Sequence, residues 1–287
     1  MERNRTNPHI RPYHISFCQG LSAILRRDWI NTLRNPMVVK ARILQTIILG
    51  LLTAGVYYDM QTDLDPNIPV FQNIPFNSLK GFFFFLTMMA LMMSLTSITL
   101  VFPRERVVFL KEEGSKLYST FTFFLSRNII ELPFLILIPM VLTLILYWMV
   151  GLEETAEQFF VFYFAVFLIN FAGSSLGLFL GSVAKDAKLV VLLVPICVLP
   201  FVLFSGFFKN REDLPVWLGW LEYLSPIKYG YIMLIRNELH EESEQGFVDS
   251  LNFELELWTA AYILIGLCVA LRMLSLFFLW LGRQKLQ

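Results

Sequence analysis

Few side chains in this sequence stand where bond-making chemistry needs them. A phosphate-cradling G-x-x-x-x-G-K-S/T loop does not occur, and neither do C-x-x-C or H-E-x-x-H. The three histidines, His9, His14 and His240, form no metal-binding spacing. Asp63 and Asp65 make a D-x-D, but they lie between apolar runs in a proline-flanked stretch and read as a turn. Gly173-Ser174-Ser175 sits inside an apolar run, where small residues serve helix packing far better than nucleophilic attack. What does stand out is charge inside apolar sequence. Arg127 and Glu131 are four apart, so they share one helix face, with Asn128 beside them, and Arg272 lies alone in the last apolar run. Charges at such depth face protein or water and mark functional sites, although an arginine near a helix end can also snorkel to the interface. Arg272 has no carboxylate on its own run and must snorkel or pair with another helix.

The elements that hold these residues are set by composition. Of 287 residues 56% are hydrophobic and only 16% charged, with 28 phenylalanines and a mean hydropathy of +0.60. Soluble domains carry about 25% charged residues, so this chain belongs in a membrane. Lys+Arg and Asp+Glu both number 23, which excludes a bulk polyanion binder, and no nucleic-acid partner is expected. A bilayer core about 30 Å thick needs roughly 20 helical residues. Six runs qualify: about 36–58, 79–102, 117–150, 158–183, 189–208 and 257–281. They lack the alternation of a lipid-facing β-barrel, so the expected fold is an all-α integral membrane protein with six transmembrane helices. Residues 1–14 form a polar tail, too polar and followed by too long a run to be a signal peptide. Residues 284–287 form a second tail.

Orientation follows from lysine and arginine. With both termini cytoplasmic, sixteen lie on the inner side and five on the outer side, where Glu153, Glu154, Glu157 and the stretch Glu238 to Asp249 are acidic instead. None of Cys18, Cys197 and Cys268 falls in an outer loop, so no disulfide is expected there.

Three segments outside the spans carry their own patterns. Over 15–34, Cys18, Leu21, Leu25 and Trp29 recur at steps of three and four beside Arg26, Arg27 and Arg34. This pattern suits an amphipathic N-terminal helix lying in the membrane interface, or a soluble helix covered by a neighbouring domain. Pro103 to Lys116 holds seven charged residues around Val107, Val108, Phe109 and Leu110. It reads either as a short helix presenting an apolar knob to a partner or as a solvated charge run. The loop Gly206 to Glu256 carries Trp217, Trp220 and Tyr223 three apart and reads as a re-entrant or surface-lying hairpin between spans 5 and 6.

Several motifs then occur together in one order. They are Arg34-Asn35-Pro36 with Arg42 and Gln45, Glu105 to Glu112 ending in Tyr118-Ser119, Glu131-Leu132-Pro133, Phe204-Ser205-Gly206, and Tyr223 to Gly230 with Asn237-Glu238 beyond. In this register, over about residues 15 to 283, the chain resembles the transmembrane half of the G subfamily of ATP-binding cassette (ABC) exporters, the white/PDR type with the ABC-2 membrane fold. The resemblance implies a connecting helix at 15–34. It also implies a coupling helix that touches a nucleotide-binding domain and contains Arg104, Glu105, Arg106, Phe109, Lys111, Glu112 and Glu113. It places Arg127, Asn128 and Glu131 in a polar relay. It points to a substrate cavity between two halves, lined here by Met89, Met93 and Thr96 on span 2 and by Leu199 and Val202 on span 5, with Phe207-Phe208 as a hydrophobic plug.

The resemblance further implies a dimer of transmembrane halves among membrane lipids. ATP and Mg would be held not by this chain but by a partner nucleotide-binding domain or subunit, because only Met1 to His14 precede the connecting helix where family members usually carry that domain. The expected function is export of a lipid-like or amphipathic substrate. The alternative is a non-transporting membrane scaffold that keeps the fold.

Overall fold

The computed structural model describes residues 16–34, 36–58, 74–115, 117–152, 155–184, 186–208, 219–239 and 255–284. The expected N-terminal tail, residues 285–287 of the second tail, the Asp63/Asp65 turn, Glu153, Glu154, Trp217 and the acidic stretch 240–249 lie outside the described residues, while Gln284 ends the last helix. The described chain is helical: α1 Phe17–Arg34, α2 Pro36–Val56, α3 Ile74–Gly114, α4 Thr120–Val150, α5 Ala156–Val183, α6 Ala187–Leu203, a 3-10 turn at Gly219–Leu224, α7 Pro226–Glu238 and α8 Leu257–Gln284.

Local chemistry explains where the helices start and stop. Ser119 and Thr155 are extended residues whose hydroxyls accept from the Thr122 and Gln158 amides, so they cap α4 and α5. Ser225 does the same for Lys228 at the head of α7, with Pro226 in the first turn. α4 ends on Gly151 at φ 74, a left-handed position that favours glycine.

Among the described residues five helices are long and apolar enough to cross a membrane: α2, α3, α4, α5 and α8. The sixth expected span is shorter than its apolar run. α6 has 17 residues, about 25 Å at 1.5 Å per residue, and Gly206 at φ 85 turns the chain away before Phe207-Phe208. A larger difference concerns span 2. The sequence reading ends span 2 at about Phe102 and sets Pro103 to Lys116 apart as a separate segment. Instead α3 runs unbroken for 41 residues through Pro103, so spans 2 and the charged segment are one element. Packing carries it across: Phe102 is fully buried and lies against α5 at Gly181, where an added Cβ would come 2.6 Å from its ring.

α5 is the hub, packing on α3, α8, α7 and α4, while α2 and α1 pack on α4. Gly173, Gly177 and Gly181 fall on one face of α5 at steps of four. A Cβ at Gly173 would overlap the Leu91 carbonyl, and one at Gly177 would come 3.0 Å from Ile98 Cβ. The small residues of the fourth run are therefore a seam that lets α3 lie backbone-close on α5. Arg272 of α8 is also explained. Its Nε donates to Ser175 at 2.9 Å and its Nη2 to Ser174 at 3.3 Å, and it stacks 4.0 Å over Phe171. It pairs with another helix, through hydroxyls and a ring in place of a carboxylate.

Every residue of α7 except Arg236 is buried, among α8, α5 and α3. If the seam sets the fold, Gly173→Ala should cost about 1–3 kcal/mol by overpacking. Gly55→Ala, with nothing within 4 Å of its new Cβ, should cost nothing. Thermal unfolding of both variants in detergent checks this, and equal melting temperatures would sink the seam.

Candidate functional site

The charges expected to matter gather at one end of the bundle and form a connected network. Arg127 on α4 reaches Glu105 on α3 at 2.9 Å and Glu131 on its own helix at 3.4 Å. Glu131 in turn holds Arg42 of α2 at 2.8 Å, and Arg42 lies 5.4 Å over the Phe134 ring. Arg127 and Glu131 are 7% and 6% exposed, and each buried charge has two ion partners: Glu105 and Glu131 for Arg127, Arg42 and Arg127 for Glu131. Removing one partner of such a buried pair costs about 3–5 kcal/mol. Arg127 is thus a buried bridge between α3 and α4 and does not snorkel.

A second group fixes the far end of α3. Arg27 of α1 forks onto both oxygens of Glu112 at 2.7 and 3.0 Å and also meets Asp28 at 2.9 Å. The Tyr118 hydroxyl donates to the same carboxylate. Burial, and then that hydrogen bond, push the Tyr118 phenol above its ordinary value. Thr120 at the start of α4 donates to Glu113 at 2.6 Å. Arg106 donates to the carbonyl of Ala184 just past α5 and lies against Gly282 of α8. The end of α3 is therefore tied to α1, α4, α5 and α8 through charged side chains. Between the two groups lies a cleft of about 390 Å³, walled by Arg27, Asn31, Arg42, Glu105, Arg127 and Phe134 among others.

Several expected residues take different places. Phe109 was grouped with an exposed apolar knob, but it is fully buried and stacks on Phe123 at 4.4 Å. Phe109 anchors the segment, and the exposed apolar surface is Val107 and Val108, with Lys111 exposed nearby. Asn128 donates to the Phe124 carbonyl at 2.6 Å and takes no part in the ion pairs. The Arg104 side chain lies outside the described residues.

Toward the opposite end, the cavity candidates separate. Met89 and Met93 are each 7% exposed. Met89 sulfur accepts from Thr53 of α2 at 3.6 Å, and Met93 lines a small internal gap with Arg42, Thr46 and Asn170. Thr96 is half-buried and donates to the Met92 carbonyl. The open face of α3 runs instead through Phe85, Met88, Met92, Thr96 and Leu100, at steps of three and four. α6 packs beside α3 and exposes Leu192, Ile196 and Leu199, with Val202 half-buried. The structure brings Phe207 and Phe208 together with Phe84 of α3: Phe207 stacks on it at 4.3 Å and Phe208 meets it edge-on at 5.3 Å. Tyr231 of α7 closes the cluster 6.2 Å from Phe207.

Two partnerships were missed from sequence. Arg27–Glu112 joins residues 85 apart, and only the acidic pair Glu112-Glu113 facing a basic first helix hints at it. Lys228 pairs with Glu222, both buried, holding the 3-10 turn to α7, but a six-residue spacing follows no helical period.

The sequence profile described as ABC-2 type transporter matches residues 19–239. Protein white of Ceratitis capitata is 32% identical over 226 residues, covering 79% of this chain and 32% of that protein. The broad substrate specificity ATP-binding cassette transporter ABCG2 of Mus musculus is 30% identical over 249 residues, covering 86% of this chain and 36% of that one. The ABC transporter ATP-binding protein/permease wht-1 of Caenorhabditis elegans is 30% identical over 227 residues, 79% of this chain and 32% of that one. The chain spans about a third of the length of these curated relatives.

The network makes a graded prediction. Glu131→Gln removes the ion-pair partner of Arg42 and one of the two carboxylates at Arg127, and should cost about 3–5 kcal/mol. Glu105→Gln, whose side chain is 34% exposed, should cost clearly less. Chemical denaturation in mixed micelles, read by tryptophan fluorescence, gives the order, and the reverse order would dismantle the network as described.

Proposed function

The chain belongs to the ABC-2 type transporter family and is a multi-pass integral membrane protein, and from that premise we propose that it is the transmembrane permease half of an ABC exporter. It moves a lipid-like or amphipathic substrate, using ATP and Mg held by a nucleotide-binding domain or subunit outside the residues described here. A second transmembrane half completes the pathway, in a bilayer whose cytoplasmic side meets both termini. The names of the relatives support the ATP coupling, and the excess of lysine and arginine at one end supports the orientation.

The observation that carries this reading is the continuity of α3. Its 41 residues extend about 60 Å, twice the hydrocarbon thickness of about 30 Å. One end presents Val107, Val108 and Lys111 to solvent, and nearer the other end Phe84 grips Phe207-Phe208. A push on the exposed end by a nucleotide-binding partner is passed along one hydrogen-bonded rod to the aromatic cluster. The glycine seam sets the pivot by close backbone contact, while Arg127 and Arg27 tether the end of the rod by side chains that can re-pair. Substrate moves along the open apolar faces of α3 (Phe85 to Leu100) and α6 (Leu192 to Val202), which select by size and apolarity because no charged group lines these stretches among the described residues.

Glu105 and Glu112 have internal arginine partners, so changing them disturbs the fold as well as any docking. Val107→Asp with Lys111→Glu is the cleaner probe. Reconstituted with its nucleotide-binding partner, this variant should lose ATP-driven transport by about tenfold or more, as expected for a docking hot spot, with an unchanged melting temperature. Full transport would falsify the docking assignment. For the pathway, Leu199→Trp on exposed α6 should lower transport while leaving ATP hydrolysis in place. Met93→Trp should fail to fold, because Met93 is enclosed. A folded, active Met93→Trp chain would overturn this partition of the two faces.

A further inference from the structure

α1 and α4 enclose a second hollow, separate from the charge network and from the α3–α6 face. Leu25 and Trp29 of α1 oppose Ile129 and Pro133 of α4 across an apolar groove of about 590 Å³, and Arg26 lies on its wall. Sites that enclose a small lipophilic molecule run from about 300 to 1,000 Å³. Trp29 and Ile129 remain 43% and 41% exposed, so the groove is open to the surroundings.

The charge beside the groove is uncompensated. Of the two adjacent arginines, Arg27 is committed to Asp28 and Glu112. Asp28 is the one acidic residue of α1, so that pairing leaves the helix no anion for its neighbour. Arg26 has no carboxylate within ion-pair distance among the described residues, and exposed Arg34 adds positive charge at the end of the helix. An apolar slot with one free guanidinium on its wall fits an amphiphile with an acyl chain and an anionic head.

We propose that the α1–α4 groove is a binding site for an anionic phospholipid, one acyl chain lying along Leu25, Trp29, Ile129 and Pro133 and the phosphate head held by Arg26. The inference rests on α1 lying at the membrane surface, not on transport. A lysine or arginine near an anionic bilayer surface contributes about 1 kcal/mol, a preference of about fivefold.

The test uses Trp29 as reporter in the full chain reconstituted into phosphatidylcholine vesicles. Its signal is the difference between the chain and its Trp29→Phe variant. Phosphatidylglycerol or phosphatidylcholine, brominated on the acyl chains, is titrated in as quencher. Half-quenching is expected at about fivefold lower mole fraction for the anionic lipid. The preference should vanish in Arg26→Ala and persist in Arg26→Lys, and rising salt should weaken it. Equal quenching by the two lipids overturns charge selection, and a preference that survives Arg26→Ala overturns the assignment to Arg26. Absence of quenching by either lipid overturns the site together with the surface placement of α1, leaving a protein-covered groove.

Discussion

Inside a bilayer no water is available to pair a stranded polar group, so each helix must satisfy its backbone internally and each charge must find a partner in the protein. The architecture of this chain follows from meeting that constraint around α5. Gly173, Gly177 and Gly181 remove side chains where α3 comes closest, and Ser174 and Ser175 offer hydroxyls to Arg272 of α8 from the same stretch of α5. One short sequence of small residues thus fixes two neighbours by different physics. Close backbone approach supplies dispersion contact on the α3 side, and hydrogen bonding to a guanidinium supplies it on the α8 side. Helices that touch α5 less, such as α2, are set by their packing on α4 instead.

The constraint relaxes at the arginine-rich end, and the kind of contact changes with it. Deep in the bundle α3 is held by glycine and aliphatic packing; beyond Phe102 the Phe109–Phe123 stack is joined by Glu105–Arg127, Glu112–Arg27 and Arg106 at the Ala184 carbonyl. Packed apolar seams have one close fit, because a small displacement forfeits much of their attraction. Ion pairs on long side chains keep much of theirs over larger excursions, since Coulomb attraction falls only slowly with distance. The rod is therefore seated in its middle by close backbone contact, and at its end by one aromatic stack together with longer-reaching ion pairs. That is the arrangement a lever needs, and it comes from where the charges are affordable.

Much of the fold was legible because it is written in local periodicity. Run lengths placed α2, α4, α5 and α8 closely, the steps of Cys18, Leu21, Leu25 and Trp29 marked α1, and the small residues of the fourth run pointed to packing. The errors arose where a local signal met a tertiary override. The sequence reading ends span 2 at about Phe102, yet burial of Phe102 against Gly181 carries α3 through Pro103. Apolarity predicts that Phe109 belongs to the exposed knob with Val107 and Val108, yet the Phe123 ring takes it inward. The Met89 and Met93 spacing marks one helix face, but a stripe carries no mark of what covers it, and here Thr53 of α2 meets Met89. Arg27–Glu112, 85 residues apart, shows the same limit for charge.

The continuity of α3 also changes what its charged segment can mean. A separate coupling helix joined by a flexible turn would absorb a push in the turn, and the apolar spans would feel little of it. A single helix has no such joint. Bending it at Pro103, the one place where a backbone hydrogen bond is missing by chemistry, is opposed by Phe102 in its α5 seat and by Phe123 packed 6.3 Å from it on α4. Displacement at Val107 must therefore appear as tilt about the seam, with opposite sign at the two ends. Motion of the docking end toward α1 carries Phe84 the other way, and Phe207-Phe208 must follow or part from it. Whether they follow is decided by Ser225, whose hydroxyl holds the Phe201 carbonyl at 2.8 Å, and by the Lys228–Glu222 pair behind it. These contacts fasten the end of α6 to the buried α7, and in the proposed mechanism the aromatic cluster opens by parting from α3 while its own base stays fixed.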